Sequence, residues 1–189
     1  IVEGDALDKD LLEDTLESDR FDALVSTAGY LDRQVRSEAE VRASSLHRLC
    51  CNLVEAAENW LPAPRRGVFL GGLPALQLPG VSHEALLVDQ PGISRAYAVH
   101  RLNHRHLSQS SLDWSLVCPG PLWPRPSTDK ELRLTADVLP GFDTRAFRSW
   151  MLGFPLGLPF VTLRVARRMG ELTISYKDCA RVVAELVEP

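Results

Sequence analysis

The sequence predicts an α/β fold in which a doubly wound parallel sheet is flanked by helices. Short apolar segments alternate with longer segments whose apolar residues recur at the three- and four-residue spacing of a helix. The apolar segments close in small residues, among them Gly29, Gly71 and Gly120. Alternation of this kind is typical of parallel strands joined by helical crossovers. The 189 residues suit one domain whose core needs no covalent cross-links.

The bulk composition argues against some classes of protein. The 21 Lys and Arg against 25 Asp and Glu leave a formal charge of −4, which gives no electrostatic argument for a nucleic-acid partner. The four cysteines, Cys50, Cys51, Cys118 and Cys179, show no CxxC spacing. We therefore expect reduced thiols and a cytoplasmic protein.

The first 60 residues predict two strands and two helices. Ile1 and Val2 would end a first strand. The helical spacing of Leu11, Leu12 and Leu16 opposite a series of acidic residues predicts a helix after it. Residues 22–29 predict a second strand. A single helix is predicted over residues 40–60, with one apolar stripe facing the core. That stripe comprises Val41, Leu46, Leu49, Leu53, Ala56 and Trp60.

The next 60 residues continue the alternation. Residues 65–72 predict a third strand, residues 94–111 a helix, and residues 113–120 a fourth strand that stops at Pro119, since proline has no N–H to donate to a sheet. In parallel sheets of this kind, ligands bind beyond the carboxyl ends of the strands. We therefore expect the small residues at those ends to lie along one edge. They are Gly4, Ser26 to Gly29, Gly71, Gly72, Pro119 and Gly120.

The alternation breaks after Pro124. The apolar segment 150–163 is shorter than the roughly 20 residues of a membrane-spanning helix and is interrupted by prolines, which predicts no stable membrane span. A buried core or lid segment, an interfacial membrane contact and a partner groove all remain open for it. Residues 171–189 predict a short strand and a last amphipathic helix.

A series of stretches matches one family pattern in the same order. EGDALDKDLLEDTL follows GDxxDxxxLxxAL, and DALVSTAG follows the next strand of the pattern. Four more stretches match the pattern. The family's xxVGGxGSLxxxPG corresponds to GVFLGGLPALQLPG, and its LVDTPxFP to LLVDQPGIS. The strand LDWTxxRPxxL corresponds to LDWSLVCPGPL, and the ending ISxxDxAxxxxxEL to LTISYKDCARVVAELVE. The chain thus resembles the atypical short-chain dehydrogenase/reductases grouped with NmrA-like and biliverdin-reductase-B-like proteins. The resemblance implies one NAD(P)-binding, Rossmann-like domain over residues 1–189, with residues 124–170 as an enlarged substrate-side or lid insertion.

The resemblance also shows what the sequence lacks. Those families begin with a strand, a GxxGxxG loop, a helix and a second strand, and the loop amides hold the cofactor pyrophosphate. The sequence contains no GxxGxxG, and no βαβ unit of about 30 residues precedes the first matched stretch. We therefore expect an N-terminally truncated domain, which is either a fragment or a protein that has lost ordinary cofactor binding. NADP or NAD would then bind weakly or not at all.

The resemblance implies a set of cofactor-binding residues. They are Asp5, Ser26, Thr27, Ala28, Gly29, Gly71, Gly72, Pro119 and Gly120. Asp5 would approach the adenine, residues 26–29 the adenosine ribose, and residues 119–120 the nicotinamide. Two positions depart from the family: Gly71 stands where many members have a substrate-binding serine, and Cys118 where an arginine is usual. An ordinary role in a turn or at a strand end remains open for each cofactor-binding position.

Three residues are candidates for catalysis. Tyr97 and Arg101 form a Y-x3-R pair similar to the Y-x3-K of the wider superfamily, in which the cation lowers the tyrosine pKa. His100 matches an active-site histidine of the biliverdin-reductase-B-like pattern, and imidazole titrates near neutral pH. A plain helical role remains open for all three. His100 and His104 share a helix face without a third ligand, so we predict no metal site.

Two functional hypotheses follow. The first is an NAD(P)H-dependent oxidoreductase that, when complete, reduces a small carbonyl or quinone-like substrate as a monomer or homodimer. The second is a non-catalytic dinucleotide sensor, a protein-interaction module or an inactive fragment on the same scaffold. The second hypothesis is favoured by three departures from the family: Gly71 in place of serine, Arg101 in place of lysine and Cys118 in place of arginine.

Overall fold

The computed structural model describes residues 2–29, 35, 37–76, 95–127, 132, 134–137 and 172–188. The helices are α1 (Lys9–Ser18), α2 (Glu38–Arg42), α3 (Ser45–Trp60), α4 (Ala98–Gln109) and α5 (Tyr176–Val187). The strands are β1 (Ala23–Ser26), β2 (Arg66–Leu70), β3 (Asp113–Val117), β4 (Leu122–Trp123) and β5 (Ile174–Ser175). Short 3-10 turns occupy Leu73–Ala75 and Arg95–Tyr97.

The predicted fold class is confirmed. Strands β1, β2 and β3 form a parallel sheet in that order, and α3 and α4 make the two crossovers. Helix α3 packs on one face of the sheet through a core that includes Phe69 and Val54, and it also packs against α1 and α4. Helix α5 packs on β1 and β2, and Arg66 of β2 binds its last turn. Parallel strands covered by helices on both faces are the doubly wound, Rossmann-like arrangement.

The helix predicted over residues 40–60 is divided in two. The hydroxyl of Ser44 donates to the carbonyl of Val41 at 2.6 Å, and α2 ends before α3 begins. A serine hydroxyl that bonds a nearby carbonyl competes with the helical ladder. The predicted stripe is also partly wrong, because Trp60 is 40% exposed while Cys50 and Val54 are buried in the core.

The predicted first strand is not formed by the residues that the structure describes. Val2 lies in irregular chain and is 63% exposed. Gly4, which was expected at the ligand-binding edge, instead packs on α1, where any Cβ would overlap the Leu11 side chain. Helix α1 itself is confirmed, and Asp8 caps it by accepting the N–H of Leu11 at 3.2 Å.

Arg66 ties α5 to the sheet. Its guanidinium donates from Nη2 to the Leu186 carbonyl at 2.7 Å and to the Ser115 hydroxyl at 3.0 Å, and Nη1 lies 3.1 Å from the Asp113 carboxylate. A cation at the carboxyl end of a helix meets the negative end of its dipole. This contact fixes the carboxyl end of α5 at the amino ends of β2 and β3.

A second, smaller sheet lies beside α5. Strands β4 and β5 pair in parallel, with Leu122 opposite Ile174 and Trp123 opposite Ser175. Most of the insertion predicted over residues 124–170, including the segment 150–163, lies outside the described residues. Within the described part of the chain, we find no helix with the length and apolar character needed to cross a bilayer.

Candidate functional site

The carboxyl ends of strands β1, β2 and β3 lie side by side at one end of the sheet. Ser26 lies opposite Phe69, and Phe69 lies opposite Leu116, so the strands are in step when they end. The residues that follow the three strands therefore leave the sheet at the same end. We call these residues the rim, and they are residues 27–29, 71–72 and 118–120. The backbone N–H of Gly71 donates to the Val117 carbonyl at 2.8 Å, which joins two rim segments directly.

A small cavity lies between the rim and helices α3 and α4. Its volume is about 10 Å³, close to the space that one water molecule needs. Four of the predicted site residues line it: Ser26, Ala28, Gly71 and His100. The structure therefore places candidates from β1, β2 and α4 around one space.

His100 is the buried ionisable group of this cavity. The residue is 7% exposed, and its ring nitrogens make no hydrogen bond to any described residue. Burial lowers the pKa of His100 from 6.5, so the imidazole is neutral at pH 7. A neutral imidazole offers one N–H donor and one acceptor to a neighbour, and this suits a polar contact with a ligand better than donation of a full proton.

The other two catalytic candidates lie outside the cavity. The Tyr97 ring stacks on His100, with centroids 6.2 Å apart and an interplanar angle of 22°. Tyr97 is 39% exposed, and Arg101 is partly buried on the next turn. Neither side chain lines the small cavity, so of the three candidates only His100 does so.

The remaining cofactor candidates are spread around the rim and beyond it. Asp5 is exposed and accepts the Leu7 N–H at 2.9 Å, which makes it the start of the turn into α1. Thr27 and Gly29 are exposed, and a Cβ on Gly29 would meet no atom within 4 Å. Pro119 and Gly120 line a second, larger cavity beside β3.

Cys118 is a packing residue. Burial raises its thiol pKa to about 12, although the Gly72 backbone N–H opposes this shift by bonding the sulfur. A Cβ on Gly71 would lie 2.9 Å from Leu116 and 3.1 Å from Cys118 Sγ, so the neighbouring strand leaves little room there. Glycine at position 71 thus has a packing reason, and the half-buried thiol of Cys118 is protonated near neutral pH and therefore unreactive.

Sequence reasoning missed a polar pair beside His100. Asn103 lines the small cavity, and its Oδ1 lies 2.8 Å from Nδ1 of His47 on α3. The available signal was spacing, because Asn103 follows His100 by three positions and so shares its helix face. His104 instead meets Trp114 edge-on at 5.6 Å, and in the described ranges no group of His, Cys, Asp or Glu could hold a metal ion.

Buried imidazoles make stability depend on pH. Burial lowers the pKa values of His100 and His106 below 6.5, and His106 Nε2 is buried without a hydrogen-bond partner among the described residues. As the pH falls, the unfolded chain therefore binds protons that the folded chain excludes. The stability that the neutral imidazoles contribute is complete above pH 6.5 and is lost as the pH falls through 6.5 towards the folded pKa values.

We expect urea midpoints to fall between about pH 7.5 and pH 5, and the fall to be smaller in His100→Gln. Proton NMR titration of the imidazoles reports the pKa directly. A His100 pKa at or above 6.5 in the folded protein contradicts the prediction.

The rim is built from small groups and has no pyrophosphate loop beside it. Ser26, Ala28 and Gly71 line a cavity with room for about one water molecule, and a Cβ on Gly29 would meet no atom within 4 Å. The sequence has no GxxGxxG loop whose amides could hold a pyrophosphate. A dinucleotide would therefore have to contact the rim through its nucleoside ends, outside the small cavity.

Comparisons with known proteins support the fold. No family model and no curated protein matches the chain. The crystal structure of a Burkholderia pseudomallei protein described as exported superposes with a TM-score of 0.57 at 21% identity, over 96% of this chain and 71% of that one. That similarity shows a shared fold and nothing more specific.

Two weaker similarities are to named proteins. The anaerobilin reductase ChuY of Escherichia coli O157:H7 gives a TM-score of 0.47 at 20% identity, over 82% of this chain and 68% of its own. BdcA, crystallised with NADPH, gives a TM-score of 0.46 at 18% identity, over 100% of this chain and 67% of that one. Both scores are too low to support an argument about site or activity.

Proposed function

We propose that the chain is an NAD(P)-binding protein of the atypical short-chain dehydrogenase/reductase type, and that it reduces a small carbonyl or quinone-like substrate when a pyrophosphate-binding loop accompanies it. One observation carries the proposal: three parallel strands end in step at a rim of small residues, and the buried His100 lines the same space. In doubly wound sheets, ligands bind beyond the carboxyl ends of the strands. We propose a cytoplasmic protein, either monomeric or homodimeric.

The roles of individual residues extend the proposal. A bound nicotinamide would supply the hydride. Residues 26–29 would hold the adenosine, and Pro119 and Gly120 would hold the nicotinamide. His100, neutral because it is buried, donates a hydrogen bond to the substrate oxygen. Tyr97 holds the His100 ring in place by stacking and is the second candidate proton source.

Titration of the 189-residue chain with NADPH and with NADH tests the binding step. Because the sequence has no GxxGxxG loop, we expect dissociation constants weaker than micromolar. Calorimetry or nicotinamide fluorescence gives the value. Micromolar or tighter binding contradicts the expectation that a pyrophosphate loop is needed.

The matched experiment adds a pyrophosphate-binding loop to the chain. A strand–GxxGxxG–helix–strand segment is joined to the N-terminus, together with a version whose loop glycines are replaced by alanine. We expect micromolar NADPH binding only with the intact loop, since its amides need backbone access to the phosphates. Failure of the intact version to bind, while it folds, contradicts the proposed function.

A non-catalytic sensor is the second candidate, and the composition of the rim favours it. Gly71 carries no hydroxyl for a substrate carbonyl, and the Cys118 thiol is half-buried and protonated. In the loop-bearing protein, a sensor binds NADPH without oxidising it. An enzyme instead turns over a quinone such as menadione, and the rate falls at least tenfold in His100→Gln.

A further inference from the structure

The larger cavity runs along the outer edge of strand β3. Its volume is about 700 Å³, within the roughly 300–1,000 Å³ typical of ligand sites. Five consecutive residues, 114–118, line it. Consecutive side chains of a strand point to opposite faces, so a space that touches all of them lies against the edge of the strand. We call this space the edge cavity.

The hydrogen bonds of β3 show which backbone groups point into the edge cavity. In a parallel pair, alternate residues direct both their N–H and their C=O towards the neighbouring strand. The Val117 carbonyl accepts from β2, and the Asp113 N–H donates to the carbonyls of Pro64 and Arg65 beside β2. Residues 113, 115 and 117 therefore face β2, and Trp114 and Leu116 direct their N–H and C=O groups outward.

These outward groups have no partner in the described part of the chain. They repeat every two residues, or about 6.6 Å along the strand. An unpaired strand edge of this kind is a template for another strand, because only an extended backbone offers complementary groups at the same repeat. A compact ring ligand could hydrogen-bond to the N–H and C=O of only one of these two residues.

The walls of the edge cavity determine the chemistry of its occupant. Val182 and Leu186 of α5 line the edge cavity together with Leu73 and Leu134, and these side chains make the lining largely apolar. His104 and Asp137 are the ionisable non-cysteine residues among the described lining residues. We propose that the edge cavity is a strand-addition site, and that it takes an extended, uncharged, apolar segment of a partner protein. This inference goes beyond the proposed function, and the two sites share a border, because Pro119 and Gly120, which we propose for the nicotinamide, also line the edge cavity.

The test uses a blocked, fluorescein-labelled pentapeptide of alternating valine and threonine. We expect fluorescence polarisation to show saturable binding to the 189-residue chain. A peptide N-methylated along one edge should still bind through its other edge, whereas a peptide N-methylated along both edges should bind at least tenfold more weakly. If the unmethylated peptide does not bind, or if full N-methylation leaves its affinity unchanged, the site is not a strand-addition site.

A matched pair of variants locates the binding. Leu134 lines the edge cavity and Val2 does not, yet both are 63% exposed, so aspartate at either position leaves the core intact. We expect Leu134→Asp to weaken peptide binding at least tenfold and Val2→Asp to leave it unchanged, with both urea midpoints unaltered. Equal affinities for the two variants overturn the proposed location.

Discussion

Replacing Gly120 by alanine is expected to destabilise the protein by about 3 kcal/mol. Gly120 lies where the rim approaches the residues before β5, and an added Cβ would overlap the carbonyl oxygen of Leu172 and lie 2.7 Å from its carbonyl carbon. The obstacle is backbone, which cannot rotate away as a side chain does. The close approach follows from the pairing of β4 with β5, in which the Ile174 N–H donates to the Pro121 carbonyl at 3.2 Å. Urea unfolding followed by circular dichroism measures the loss.

Gly29 provides the control, since it lies at the same rim and an added Cβ would meet nothing within 4 Å. We expect Gly29→Ala to change the free energy of unfolding by less than about 0.5 kcal/mol. Equal stabilities for the two variants would show that Gly120 is not held against Leu172. The comparison also separates a glycine kept for packing from one that is free to vary or to contact a ligand.

The sheet and its crossovers could be predicted because their signals are local. Strands β1, β2 and β3 are short apolar runs, and the helices between them repeat at helical spacing. The break between α2 and α3 could not be predicted, because neither glycine nor proline marks it. It depends on the Ser44 hydroxyl, which bonds the Val41 carbonyl rather than solvent.

The candidate site was predictable only in part. Parallel strands that end in step bring their tips together, so the rim follows from the topology. The pairing of Asn103 with His47 joins residues from two different helices, and no periodicity in a single sequence specifies it. The open edge of β3 likewise became visible only once hydrogen bonds showed which backbone groups face β2.

Replacing Asp178 by alanine is the second large effect that we expect, at about 3 kcal/mol of lost stability. Asp178 is 1% exposed at the third position of α5, where the helix is capped by Ser175. The position of Asp178 inside the first turn of α5, three residues after Ser175, corresponds to the second partner of a capping box. Its carboxylate accepts hydroxyl hydrogen bonds from Ser175 at 2.8 Å and from Ser127 at 2.6 Å.

Alanine at position 178 leaves these two hydroxyls facing a buried gap and removes the charge that complements the amino end of α5. The Arg181 guanidinium, 3.8 Å away and partly exposed, adds little to the expected loss because solvent screens it. Ser175→Ala is the graded control: it removes the cap but keeps the carboxylate, so we expect a loss of about 1 kcal/mol. Urea unfolding ranks the two variants. If Asp178→Ala costs no more than Ser175→Ala, the carboxylate is not the centre of this network, and α5 must be held to the sheet chiefly by Arg66 and its core contacts.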